Sequence, residues 1–180
     1  MTLPTVVVVG LGPAGPDLLT ERTIDAIDAA GVRYVRTNRH PSASVLEGAT
    51  SFDHHYEEAS TIEEVYAAIV EDLVAAAAHH GRVLYAVPGS PAVGERTVEL
   101  LRADPRVQCE VVPALSAVDL AWACLGVDPL AAGARIVDGH RFAVEAAGDR
   151  GPLLVLQCDS REVLSAIKLA VEDGPPVTVL

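Results

Sequence analysis

Three stretches in this sequence, two of them glycine-containing, have the make-up of ligand-binding loops. Val6 to Val9 runs directly into Gly10-Leu11-Gly12-Pro13-Ala14-Gly15, a GxGxxG spacing straight after an apolar run. In a dinucleotide site that spacing provides a tight turn, a close backbone approach to a pyrophosphate and a helix N-terminus behind it. Arg36 falls where such sites carry a ribose-binding acid, and it suits a 2′-phosphate, so an NADP-dependent oxidoreductase is one reading. Pro13 and Pro16 oppose it, because each removes an N–H donor from the loop. The second stretch is Val83 to Val87 followed by Pro88-Gly89-Ser90-Pro91. Gly89 lets the chain turn and approach a ligand without a Cβ, and Ser90-Pro91 reads as an N-cap and first-turn pair. The third is Val112-Pro113-Ala114-Leu115-Ser116, with Ser116 and Asp119 opening a capped helix.

Other reactive side chains are less organised. His54-His55 and His79-His80 are sequence neighbours, which point different ways on a helix or strand, so no metal site is expected. Asp53, Glu57 and Glu58 read as a solvated face or helix-start charges. No GxSxG elbow supports a serine hydrolase.

The elements that must hold these loops alternate. The β-branched run Val6–Val9 predicts a strand buried on both faces. A helix capped by Thr20 runs to Ala30 with Ile24 and Ile27 inward, and a second strand covers Val32–Arg36. Thr37 to Glu58 is polar and turn-rich, a long functional loop or a short strand near Ser51-Phe52. Thr61 and Glu64 form a capping box for a helix to His80, with Ile62, Val65, Tyr66, Ile69, Val70, Leu73 and Val74 on one face. Strands at Val83–Val87 and Val107–Val112 follow, separated by a helix to about Asp104. The helix after Ser116 closes at Gly126. Beyond it the sequence suggests strands at Ala134–Val137 and Leu153–Gln157, a helix over Asp159–Val171 capped by Asp159 and Glu162, a Gly174-Pro175-Pro176 stop, and the start of a strand at Val177–Leu180. This pattern predicts an α/β fold with a parallel-sheet N-terminal lobe, 1–125, and the start of a second α/β lobe, 126–180, that ends inside an unfinished sheet.

Composition narrows the function. A formal charge of -12 with no Lys/Arg cluster argues against nucleic-acid and anionic-membrane partners. Three cysteines, far apart and without CxxC spacing, fit buried thiols in a reducing cytoplasm. No signal peptide or membrane-length apolar run is visible, so a cytoplasmic location is expected.

Taken together, the three loops carry a resemblance. Val9 to Thr20, VGLGPAGPDLLT, resembles the first motif of the tetrapyrrole (corrin/porphyrin) methylases, VGxGPGDPxLLT. Gly89-Ser90-Pro91 resembles that family's GDP-type loop, and Val112–Ser116 resembles its PGxSS loop. A narrower match lies in Arg36-Thr37, His40-Pro41, SFDHHYEEA at 51–59, VPGSPAVGERTV at 87–98 and LLVLQCDSREVLSAIKLA at 153–170. These resemble the N-terminal methylase-like domain of MazG-family proteins, which precedes a nucleoside-triphosphate pyrophosphohydrolase domain.

The resemblance implies a two-lobed fold and an S-adenosylmethionine-dependent methyltransferase, with S-adenosylhomocysteine as product and a small-molecule acceptor of tetrapyrrole or other type. It implies cofactor contacts from Pro88, Gly89, Ser90, Ala92, Val93, Leu115, Ser116 and Ala117, and acceptor contacts from Gly12, Pro13, Ala14, Arg36 and His40. A homodimer, and a MazG-type hydrolase domain in a longer protein, are implied as partners. Ser90, and Ala14-Gly15, replace acidic positions of the family motifs, leaving no evident base near the acceptor. A binding or regulatory module that has lost transferase activity is therefore a further reading.

Overall fold

A computed structural model describes residues 2–148, 151–171, 174 and 176–180. The elements, in order, are β1 (Thr5–Gly10), α1 (Glu21–Asp28), β2 (Arg33–Val35), β3 (Thr50–Ser51), α2 (Asp53–Glu58), α3 (Ile62–His80), β4 (Arg82–Val87), α4 (Arg96–Ala103), β5 (Gln108–Val112), α5 (Ala117–Leu125), α6 (Pro129–Ala132), β6 (Arg135–Asp138), α7 (Phe142–Glu145), β7 (Leu153–Leu156) and α8 (Arg161–Ala170). The chain divides into two compact units, Met1–Leu120 and Ala121–Leu180.

The first unit is built on a five-stranded parallel sheet of order β3-β2-β4-β1-β5. The unbroken valine run of β1 is buried along its whole length because both faces of the sheet are covered. Val6 and Val8 join Val65, Ile69, Leu73, Tyr85 and Leu101 on one face, and Val7 and Val9 join Ile27, Val35, Leu84 and Val112 on the other. Alternate residues of one strand thus feed two cores. Because the strands are parallel, the loops that follow β1, β4 and β5 leave from the same end of three adjacent strands.

The expected helix starts hold where the caps are local. Thr61 accepts from the Glu64 N–H while Glu64 receives the Thr61 N–H, closing the capping box of α3, and Gly81 ends that helix at φ 77°. Thr20 caps α1, but Ile24 and Ile62 are exposed; Thr23 and Ile27 are the buried positions of α1. The segment 37–58 is not one loop. It holds a 3-10 turn at Pro41–Leu46, the short strand β3 and helix α2, whose Phe52 entry is 1% exposed and stacks on Tyr34.

In the second unit, β6 and β7 pair in parallel. Helix α8 is capped by Ser160, one residue after the expected Asp159, its hydroxyl accepting from the Val163 N–H. Residues 177–180 lie in no strand and their large side chains are exposed. Pro175 of the expected stop lies outside the described residues. Cys124 and Cys158 are exposed and only Cys109 is half-buried, so the thiols are not uniformly buried. Among the described residues no helix is long and apolar enough to cross a membrane.

Candidate functional site

The glycine loop after β1 and the loop after β4 are stitched together. Leu11 N–H donates to the Val87 carbonyl at 2.8 Å, and Gly12 and Gly89 exchange backbone hydrogen bonds at 3.1 and 2.9 Å. This contradicts the dinucleotide reading of the GxGxxG stretch, because the donors that would cradle a pyrophosphate are committed to protein. Nor does a helix begin at Gly15: a 3-10 turn, Pro16–Leu18, intervenes, and α1 starts only at Glu21. Arg36, the proposed 2′-phosphate partner, is ion-paired to Glu95.

Gly10 is where the three loops meet. A Cβ at this position would lie 2.3 Å from the Gly89 carbonyl oxygen, 2.6 Å from the Ala114 Cβ and 2.7 Å from the Pro91 Cδ. The loops after β4 and β5 therefore close onto the backbone of β1, and only glycine fits between them. Gly89 is the opposite case. Its φ is +65°, and a Cβ there would face open space with nothing within 4 Å, so the Cα side of the loop is open although its N–H and carbonyl are paired with Gly12.

Ser90 and Pro91 do not start a helix. The Ser90 carbonyl accepts the Val93 N–H at 3.1 Å and its hydroxyl the Ala92 N–H at 3.3 Å, closing a tight turn, and α4 begins at Arg96 with Glu95 at the N-cap position. Ser90 and Pro91 are buried, Pro88 and Gly89 half-buried, Ala92 and Val93 exposed. In the third loop Ser116 is buried between exposed Leu115 and Ala117. Its N–H and hydroxyl both donate to the Asp119 carboxylate, at 2.7 and 2.9 Å, so the carboxylate half of the expected cap forms while the hydroxyl donates instead of capping a helix N–H, the Asp119 N–H going to the Ser116 carbonyl.

Gly12 is buried, with Pro13 and Ala14 half-buried beside it. The segment 40–42 straps onto this loop. Ser42 Oγ donates to the Ala14 carbonyl at 2.9 Å, and His40 Nδ1 accepts the Ser42 N–H at 3.1 Å, with its ring in polar interaction with the Gly12 backbone. Burial lowers the pKa of His40, with the Gly12 bond opposing, so the ring is held neutral. His40 is therefore a prop of the glycine loop rather than a solvated loop residue.

Arg36 leaves the end of β2, where its N–H donates to the Ala86 carbonyl at 2.9 Å. Its guanidinium forms a short ion pair with Glu95 and donates through Nε to the Tyr56 hydroxyl at 2.8 Å. It lies 6.0 and 5.9 Å from the ring centres of Tyr56 and Tyr66. The side chain of Arg36 is 22% exposed and that of Glu95 only 5%. Burial disfavours both charges. In Arg36 the pull of Glu95 and the Tyr56 hydrogen bond outweigh it and hold the guanidinium more firmly protonated, whereas in Glu95 burial prevails over Arg36 and raises the carboxyl. Behind the pair, Thr97 donates to Glu95 at 3.5 Å and contacts the buried Tyr85 hydroxyl at 3.3 Å. Asp53 anchors the strand end: partial burial pushes its carboxyl up, but hydrogen bonds from Ser51, Thr37 and the Asn38 N–H outweigh this and hold it below the usual range.

Sequence reasoning found Arg36 but missed Glu95, Tyr56 and Tyr66. The ERT that follows the second loop was the available signal, since a glutamate at the start of a buried helix needs a partner. The expectation that adjacent histidines diverge also fails at His54-His55. Their ring centres are 4.1 Å apart, and those of His79 and His80, edge-on at the end of α3, are 4.5 Å apart; Asp72 stands against the first pair, its Oδ2 2.8 Å from His55 Nε2.

A parallel sheet with three loops converging at the carboxyl ends of β1, β4 and β5, the first two hydrogen-bonded to each other, and a buried ion pair at the ends of β2 and β4, defines an α/β ligand-binding domain. The sequence profile of the Tetrapyrrole (Corrin/Porphyrin) Methylases matches residues 5–179, and the chain belongs to that family. It is 34% identical over 178 residues to YabN of Bacillus subtilis (strain 168), described as uncharacterised, covering 95% of this chain but 36% of that protein, so the chain spans about a third of the relative's length. It superposes on uroporphyrin-III-C-methyltransferase from Thermus thermophilus with a TM-score of 0.68 at 24% identity, covering 96% of this chain and 75% of the other. A structure of the Thermus thermophilus enzyme complexed with S-adenyl homocysteine gives a TM-score of 0.61 at 25% identity, covering 96% and 78%.

Proposed function

We propose that this chain is an S-adenosylmethionine-dependent methyltransferase domain acting on a small-molecule acceptor. The observation that carries the reading is the convergence on Gly10, which draws the loops after β4 and β5 together and leaves open space beside the Cα of Gly89. On family membership and this geometry, Pro88, Gly89, Ser90, Ala92 and Val93 hold one side of the cofactor and Leu115, Ser116 and Ala117 the other. When bound, the cofactor supplies a methyl group on a sulfonium, which passes by in-line displacement to a nucleophilic atom of the acceptor. The protein's part is orientation and exclusion of water. Ser90 and Ser116 act by fixing the two loops, since their hydroxyls are engaged in the turn and the cap.

The acceptor end lies toward Gly12, Pro13, Ala14, His40 and Arg36, with Arg36 anchoring an acceptor polar group. Glu95, almost wholly buried and ion-paired to Arg36, holds that guanidinium in place at the acceptor end. We further read the chain as the methylase part of a longer MazG-type protein, cytoplasmic and homodimeric. Light scattering of the purified chain tests the dimer.

Calorimetric titration of S-adenosylhomocysteine tests the site. Micromolar binding is expected for the wild type. It should be lost in Gly89→Val and in Gly89→Asn, the latter retaining a residue that tolerates positive φ. No binding to a folded wild-type chain overturns the reading. Tight binding with no methyl transfer from the intact protein to any acceptor, including tetrapyrroles, would favour a non-catalytic regulatory module instead, as the replacements at Ser90 and Ala14-Gly15 suggest.

A further inference from the structure

Helices α2 and α3 carry between them a cluster that the methyltransferase reading does not use. Successive helical residues project about 100° apart, yet the rings of His54 and His55 approach to 4.1 Å at an interplanar angle of 39°. Asp72, on α3, completes the group. His55 Nε2 is 2.8 Å from its Oδ2, and ligand atoms of all three residues lie within 4.8 Å of one another.

One member is fixed and two can move. The His55 ring stacks on Phe52 at 5.8 Å and 21°, and Phe52 is locked in the core between Tyr34, stacked at 5.3 Å, and the edge of Tyr85 at 5.8 Å. His54 is exposed, and the Asp72 side chain is 51% exposed.

We propose that His54, His55 and Asp72 form a binding site for a borderline divalent transition-metal ion of the Zn2+ type. Two imidazoles and one carboxylate are the donor set such ions prefer, whereas Mg2+ and Ca2+ require oxygen ligands throughout. Donors held about 2.0–2.1 Å from zinc lie roughly 3.3 Å from one another, so closure requires shifts of about 1–1.5 Å. Those shifts fall to the exposed side chains of His54 and Asp72, while His55 stays on Phe52. A formal charge of -12 draws cations to the surface. The bound ion fastens α2 to α3, and α2 carries Tyr56, the residue that accepts from Arg36. The site thus acts on the acceptor end of the domain by fixing an element, not by joining the chemistry.

The test is calorimetric titration of Zn2+ into the tag-free, chelator-treated full chain, with the visible absorption of bound Co2+ reporting imidazole ligation. The variants are His54→Gln and Asp72→Asn, both at exposed positions that leave the Phe52 stack in place, with folding checked by circular dichroism. The double substitution His79→Gln/His80→Gln controls for binding at any adjacent histidine pair. One Zn2+ per chain is expected, weakened by more than about tenfold in each single variant. Zn2+ should also raise the Tm of the wild type and the control but not of the variants. The proposal is overturned by no Zn2+ binding to the wild type, by binding that persists unchanged in His54→Gln and Asp72→Asn, or by binding lost in the 79/80 control.

Discussion

Replacing Gly10 with alanine adds one methyl group at the point where the three loops meet, and the cost follows from the contacts. The new carbon would lie 2.3 Å from the Gly89 carbonyl oxygen, 2.6 Å from the Ala114 Cβ and 2.7 Å from the Pro91 Cδ. Carbon atoms pack best at about 3.5–4.0 Å, so two loops must each retreat by about 1 Å. The first of these is not free to do so. The β4 loop is tied to the glycine loop by the paired Gly12–Gly89 hydrogen bonds, and Gly10 itself lies in register with Val87 in the parallel ladder. Overpacking of this kind costs about 1–3 kcal/mol, and a backbone oxygen among the clashing atoms places Gly10→Ala at the upper end. For a chain of this size that corresponds to a fall in Tm of roughly 6–12 °C.

Gly31→Ala is the matched control. Nothing lies within 4 Å of its Cβ and its φ is not positive, so restriction of the unfolded chain should leave it neutral or more stable by about 0.4–1 kcal/mol. Differential scanning fluorimetry measures both, and S-adenosylhomocysteine titration should show binding lost in Gly10→Ala and kept in Gly31→Ala. A Gly10→Ala protein with wild-type Tm and wild-type affinity would refute the convergence of the loops on this residue.

The Arg36–Glu95 pair should behave as a buried pair: Glu95→Leu alone is expected to cost about 3–5 kcal/mol, while Arg36→Met/Glu95→Leu together recovers most of it. Denaturant titration of the double-mutant cycle checks this, and additive costs would show the two charges to be uncoupled. In methyl transfer, once an acceptor is in hand, Glu95→Gln should raise the KM for the acceptor while leaving S-adenosylhomocysteine affinity unchanged; a parallel loss of both would make Glu95 a purely structural residue. The depressed pKa of His40 fixes the sign of a pH effect. Its contribution to stability is present above the ordinary histidine value of 6.5 and is lost as pH falls below that value toward the lowered one. Thermal melts across that range should lose less stability in His40→Asn than in wild type, and equal slopes would count against the neutral ring as the prop of Gly12.

The sequence alone was enough wherever the signal is local. The valine run of β1, the Thr61/Glu64 capping box and the bond from the Ser116 N–H to Asp119 depend on residues within a few positions of one another, and each forms where the sequence places it. A capping bond or a strand period is completed by near neighbours, so it is written in the neighbours. What depends on distant partners was not legible. Ser90-Pro91 has the chemistry of a helix start, yet the clamp between the Gly12 and Gly89 backbones holds that loop in a turn and α4 begins later. Residues 37–58 have too few apolar positions to announce α2, which forms because Phe52 is drawn between Tyr34 and Tyr85. Glu95 is only a charged residue until the sheet order places β2 beside β4 and brings Arg36, 59 residues away, against it. His54 and His55 are likewise two surface histidines until α2 packs on α3 and supplies Asp72. The chain fixes which residue types are available and the turns they make with their neighbours; burial and strand order, which arise only when the sheet closes, decide which of those side chains meet.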